Sequence, residues 1–167
     1  MGLFDKKKMQ IKVTEPGKIY AHVTRKYISI SDIPDEDFSA GILGQGCGME
    51  LYENKVVSPV SGLIAAITET KHAIGITTDE GAELLIHIGL DTVYMNGKGF
   101  EVKVKCGDKV TCGHTLILFD KDEIKAAGYA STIAFIVTNS NQFSEVCFKV
   151  NNEYKVTDEI GIISKGI

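Results

Sequence analysis

Turn signals break this chain about every eight to twelve residues, and the segments between them are short, apolar and rich in β-branched side chains. A chain punctuated in this way cannot build a core from long helices. It has to pair strands, each laying one apolar face against the next. Ile, Val and Thr together number 45, against 19 for Ala plus Leu, and β-branched side chains suit a pleated surface. Glycine, 17 of 167 residues, is spread along the chain and marks turns and close backbone approaches.

Strands are expected over residues 18–22, 27–30, 63–70, 72–78, 82–90, 100–105, 115–120 and 132–138, with others from 146 to about 163. Residues 32–35 (Asp-Ile-Pro-Asp) read as a turn. Residues 41–48 carry four glycines and read as a tight loop entering a strand; no helix opening with Lys-Ser/Thr follows, so this is not a phosphate-binding P-loop. Residues 56–62 join two strands, with Pro59 where no ladder donor is needed. One helix is expected over 120–127, capped by Asp120 or Asp122 and ended by Gly128. Residues 105–110 are echoed by 111–116, and Gly107-Asp108-x-Val110-x-x-Gly113-x-x-Leu116 resembles the turn of barrel-sandwich domains. The expected class is all-β: an antiparallel β-sandwich or barrel-sandwich hybrid with one or two short helices. It forms a single domain over residues 11–167, after a flexible tail of residues 1–10.

A net charge of −4 argues against a nucleic-acid partner, which needs a basic face, and Lys6-Lys7-Lys8 is too short to change that. Residues 1–8 lack the apolar region of a secretory signal, and no apolar run approaches the about 20 residues of a membrane helix. The expected location is the cytoplasm, without stable membrane insertion. Cys47, Cys106, Cys112 and Cys147 show no Cys-x-x-Cys spacing and read as small buried hydrophobes, so no thiolate metal site is expected.

The chemistry lies between His72 and Asp91. A two-residue turn at Asp79-Glu80 pairs 78 with 81 and 77 with 82, and carried back along the hairpin it sets His72 opposite His87. Opposed residues share a face, with Cβ atoms about 4.5–5.5 Å apart. A loop of three or four residues would change this register, and a one-residue slip would separate the rings. In the two-residue register Ile74, Ile76 and Leu85 share the histidine face, and Leu84, Ile86 and Ile88 line the other. Two imidazoles in apolar surroundings cannot both be charged, so at least one keeps a lone pair for nucleophilic attack or metal binding. The alternative is a core pair satisfied by backbone groups. His22 and His114 read as surface histidines. Asp91, at the exit of the strand, can orient a ring, accept a partner's cation or cap the turn, and Gly89 leaves room beside His87.

Gly81-Ala82-Glu83-Leu84-Leu85-Ile86-His87-Ile88-Gly89-Leu90-Asp91-Thr92-Val93 resembles the phosphorylation-site signature of glucose-family IIA proteins of the bacterial phosphoenolpyruvate-dependent sugar phosphotransferase system. Residues 56–64, Thr70-Lys71-His72-Ala73, Gly97-Lys98-Gly99-Phe100 and Gly107-Asp108-Lys109-Val110 follow in that family's order, so the resemblance runs over about residues 11–139. The opening Met-Gly-Leu-Phe-Asp-Lys resembles free-standing members of the family.

The resemblance implies a phosphotransferase component; no cofactor is expected, and the chain supplies no metal site of its own, although two opposed imidazoles leave a site shared with a partner open. His87 takes a phosphoryl group on Nε2 from the histidine-containing phosphocarrier protein and passes it to a cysteine on the IIB domain of a glucose-type permease. His72 stabilises that group, Thr70 orients His72, the Gly89 carbonyl orients His87, and Asp91 stands at the rim facing partner arginines. Regulatory targets are a further possibility. Phenylalanines common around the site in the family are replaced: Ile74 and Ile88 follow the two histidines, and Thr68 holds a position that is often aromatic. Ile74, Ile88 and Val93 then stand as an aliphatic partner-binding patch. Two other readings fail on the residues. A zinc peptidase of related fold needs a His-x-His that is absent, and a biotin or lipoate carrier needs a Met-Lys-Met type of tip.

Overall fold

The computed structural model describes residues 15–50 and 53–165. The expected tail of residues 1–10, with its three lysines, lies outside them. Fourteen strands occur among the described residues, beginning with β1 (Lys18–Tyr20), β2 (Arg25–Ser29), β3 (Gln45–Met49), β4 (Lys55–Val57) and β5 (Gly62–Ile67). Next come β6 (Ala73–Thr78), β7 (Glu83–Ile88), β8 (Phe100–Val102), β9 (Lys109–Val110) and β10 (Thr115–Phe119). The last four are β11 (Ile133–Val137), β12 (Glu145–Phe148), β13 (Asn152–Tyr154) and β14 (Glu159–Ser164). Two short helices interrupt them, α1 (Glu36–Ser39) and α2 (Lys121–Ala126). No helix among the described residues is long and apolar enough to cross a membrane.

Every strand pairing is antiparallel. An eight-stranded sheet, β13-β2-β3-β11-β7-β6-β5-β9, packs with two three-stranded sheets, β1-β14-β12 and β4-β10-β8. β11 sits between β3 and β7, and its five residues Ile133 to Val137 are all fully buried. The apolar run of the sequence is therefore a strand covered on both faces. On one face lies the main core. On the other, Ala134 and Ile136 join Ile33, Phe38 and Leu90 in a smaller cluster. Burying a large aliphatic side chain stabilises by about 1.5–3 kcal/mol, so both layers contribute to holding β7 in place.

The duplicated character of the fold is visible in two turns. Lys105 N–H donates to Asp108 Oδ2 (2.9 Å) and Asp108 N–H to Lys105 O (3.1 Å); Lys155 and Asp158 make the same pair at 2.9 and 3.0 Å. Ile64 N–H donates to Asp108 O at 2.9 Å, as Ala21 N–H does to Asp158 O at 2.7 Å. The structural counterpart of residues 105–110 is thus 155–160, rather than the adjacent echo at 111–116.

Several expectations change in the folded chain. Between β6 and β7 the turn closed by Thr78 and Ala82 has three residues, Asp79 to Gly81, since Thr78 N–H donates to Ala82 O (2.9 Å) and Gly81 N–H to Thr78 O (3.0 Å). Gly81 supplies the left-handed φ of +91° that this loop requires. The register accordingly slips by one, pairing Ala73 with His87 and Ile74 with Ile86. Ile74 and Ile76 therefore join Leu84, Ile86 and Ile88 on the core face, not Leu85 on the histidine face. Residues 32–35 lead into α1, whose N-cap Asp35 accepts from Asp37 N–H at 2.9 Å. β3 takes in Gln45 to Met49, so the glycine-rich loop ends earlier than expected. α2 is capped by Asp120, which accepts from Asp122 N–H and Glu123 N–H. Cys47 and Cys112 are buried, whereas Cys106 and Cys147 are exposed. His22 is fully buried against Tyr27 and Phe135 and is not a surface histidine.

Candidate functional site

His87 occupies the outer face of β7, opposite the core-facing Ile86 and Ile88, and is half-buried. Just beyond it the chain turns at Gly89, with φ +77°, and at Asp91, with φ +60°. A Cβ at Gly89 would collide with Thr92 and lie 3.1 Å from Ala130 O, so only glycine fits. This turn brings the Gly89 carbonyl back to 2.8 Å from His87 Nδ1. A carbonyl only accepts, so Nδ1 carries the proton and Nε2 keeps its lone pair.

His72 reaches the same place by a different device. In the observed register it is opposite Ile88 and would, in a regular strand, point to the core. It lies one residue before β6, directly after Lys71 in a left-handed conformation (φ +62°), and so is not bound by the alternation of the strand. The two imidazole rings stand 4.7 Å apart between centroids at an interplanar angle of 79°. The encounter expected from the sequence occurs, but not through direct cross-strand pairing. His72 Nδ1 lies 2.7 Å from Thr70 Oγ1 and 3.5 Å from Thr68 Oγ1.

Both rings are held neutral. Burial, and then the proximity of His87, push the pKa of His72 down to about 4. Burial also lowers that of His87, opposed by the Gly89 carbonyl and the charges of Asp35 and Asp91. An NMR titration is expected to find His72 half-protonated near pH 4 and unprotonated at neutral pH; a midpoint near 6.5 would contradict a desolvated pair.

The remaining candidates divide. Thr70, Gly89 and Asp91 lie at the site, and Val93 is 43% exposed. Ile74 and Ile88, at 1% and 0% exposed, are core residues that cannot meet a partner: the register turns Ile74 inward, and Ile88 alternates with His87 along β7. The sequence reading missed Phe38, whose ring packs against His87 at 5.1 Å, and Asp35, whose charge acts on it. The site is therefore not purely aliphatic. A helix start was legible there, since Asp35 is a good cap followed by the acids Glu36 and Asp37. Its position over His87 was not. Exposed apolar residues flank these elements along the chain: Ile42 and Leu43 after α1, Val93 and Tyr94 after Asp91. No cluster of three or more His, Cys, Asp or Glu side chains arranged to hold a metal occurs among the described residues. His114 is exposed and lies outside the site.

Comparison with known proteins gives a consistent pattern. The family model described as phosphoenolpyruvate-dependent sugar phosphotransferase system, EIIA 1, matches residues 17–143. The chain is 49% identical over 126 residues to the PTS system beta-glucoside-specific EIIBCA component of Bacillus subtilis, covering 75% of this chain and 21% of that protein. The chain thus spans about a fifth of the length of that relative. It is 44% identical over 129 residues to the PTS system glucose-specific EIIA component of Staphylococcus epidermidis, covering 77% of this chain and 78% of that one. The solved structure of glucose permease IIA from Mycoplasma capricolum superposes with a TM-score of 0.75 at 33% identity, over 87% of this chain and 94% of that one.

Proposed function

Because the chain belongs to the EIIA 1 family of the phosphoenolpyruvate-dependent sugar phosphotransferase system, we propose that it is a phosphocarrier that holds the phosphoryl group on His87 Nε2. The donor is the phosphohistidine of the histidine-containing phosphocarrier protein, and the acceptor is a cysteine on the IIB domain of a glucose-type permease. The observation that carries this reading is the Nδ1–H to Gly89 carbonyl bond, which leaves a neutral, half-buried ring with Nε2 as its nucleophile.

The transfer needs no added acid or base. The Nε2 lone pair attacks phosphorus, the N–P bond of the donor breaks, and its electron pair returns to the donor imidazole. In the second step a thiolate attacks, an S–P bond forms, and the pair returns to Nε2 of His87. Little covalent work falls to the protein, so alignment and charge stabilisation dominate. His72 supplies both. A phosphoryl dianion beside it replaces repulsion from His87 with attraction and favours its protonated form. Its Nδ1 partner is the hydroxyl of Thr70, which can donate or accept, so the ring can change charge without losing its bond. Asp35 and Asp91 make the rim acidic and suit arginine-bearing partners, while Phe38 covers one side of the His87 ring.

The test is incubation with phosphoenolpyruvate, enzyme I and the histidine phosphocarrier, followed by mass spectrometry under conditions that preserve phosphohistidine. One acid-labile phosphate on His87 is expected. An unlabelled wild-type protein overturns the proposal.

A further inference from the structure

The hydroxyl of Thr68 is not used by the transfer steps above, yet it stands at the base of the turn that carries both Thr70 and His72. Thr68 closes this turn from several directions. Its carbonyl accepts from Lys71 N–H at 2.9 Å and its N–H donates to Ala73 O at 3.1 Å. Its Oγ1 accepts from Ala73 N–H at 3.2 Å, lies 3.3 Å from Ala73 O, and stands 3.5 Å from His72 Nδ1. Ala73 begins β6 and pairs with His87, so one side chain joins the end of β5, the start of β6 and the His72 ring.

We propose that Thr68 is a positioning residue for His72: its hydroxyl, held by Ala73 N–H, brackets Nδ1 together with Thr70 and keeps the other ring nitrogen directed to His87. The role rests on the phosphocarrier reading only where His72 serves onward transfer. Thr70 alone sets the distance to Nδ1. Two hydroxyls on different backbone positions also limit rotation of the ring about that bond. The backbone contacts of Thr68 survive any substitution that keeps the turn, whereas the contacts of Oγ1 are lost with the hydroxyl. Valine removes that group at nearly constant shape, and serine retains it.

The experiment compares Thr68→Val and Thr68→Ser in two measurements. The first is the 15N chemical shift of His72 Nδ1. The second is the ratio of onward transfer to a IIB domain over acceptance from the phosphocarrier. Thr68→Val is expected to move the His72 signal and lower the ratio by roughly five- to tenfold, the size of one lost hydrogen bond, and Thr68→Ser is expected to restore both. A wild-type signal and ratio in Thr68→Val overturn the proposal, as does an equal change in the two variants, which would mark a structural effect of the turn. The shift is read without any phosphoryl donor. If the wild-type protein took up no phosphate, the phosphocarrier reading would fall while the role of Thr68 was still decided by the ring signal.

Discussion

His87→Ala is expected to abolish phosphate incorporation, and His72→Gln to leave incorporation intact while blocking delivery. The two imidazoles are neighbours, but their surroundings are not equivalent. His87 Nδ1 faces a carbonyl, so its Nε2 is a nucleophile in the resting protein. His72 Nδ1 faces hydroxyls, which impose no tautomer, and its position at the start of β6 sets it as the second ring of the pair. His72 therefore does not replace His87 as acceptor. Glutamine at 72 keeps an N–H donor for a phosphoryl oxygen but cannot become a cation as charge develops in the second transfer. Loss of such a group costs roughly 10²-fold or more, which the IIB-dependent step would report. Acceptance is expected within a few-fold of wild type. The variants are followed by phosphohistidine mass spectrometry and by transfer to a purified IIB domain. Label persisting in His87→Ala, or normal delivery by His72→Gln, overturns the assignment of roles.

The second large effect concerns stability in acid and has its source away from the site. His22 is fully buried, its Nε2 has no hydrogen-bond partner among the described residues, and its Nδ1 lies 3.4 Å from the Tyr27 hydroxyl. Burial lowers its pKa from 6.5 to about 3. The folded protein therefore keeps this ring neutral, whereas the unfolded chain protonates it once the pH falls below 6.5. The contribution to stability is complete above pH 6.5 and is lost steadily as the pH falls towards 3, by about 1.4 kcal/mol per pH unit. At pH 4.5 the loss comes to roughly 2–3 kcal/mol, a large part of the ~5–15 kcal/mol typical of a domain. Burial lowers His72 and His87 as well, and both act in the same direction. Urea unfolding between pH 7 and pH 4.5 is expected to show this decline. His22→Gln and His22→Leu are both expected to flatten it by about one proton's worth, whatever their stability at pH 7. An unchanged slope in both variants would locate the acid sensitivity elsewhere.

Much of this protein is legible without its structure because the signals are local. Alternating β-branched runs and turn residues define the strands, and the cap at Asp120 with Gly128 beyond it defines α2. The Gly89 carbonyl reaches His87 across two residues, and Thr70 reaches His72 across two, so these contacts too lie within one stretch of chain. What depended on the length of a single loop was less secure. A two-residue turn and a three-residue turn differ by one position in register, and that position decided whether Ile74 faced a partner or the core.

Only the tertiary structure decided the rest. The meeting of His72 and His87 depends on a left-handed residue at Lys71, which frees one ring from the alternation of the strand, and no side-chain pattern reports that backbone angle. Phe38 and Asp35 come to His87 from a distant segment, across β3 and β11, through packing of Ile33 and Phe38 against the outer face of the sheet. His22 reads as one more polar residue in a strand, and its neutrality follows from what surrounds it on all sides. The sequence by itself determined the strand-rich class and the identity of the reactive side chains, because both are properties of neighbouring residues. The geometry and protonation of the site were decided by folding, because burial and ring contact are set by residues far apart along the chain.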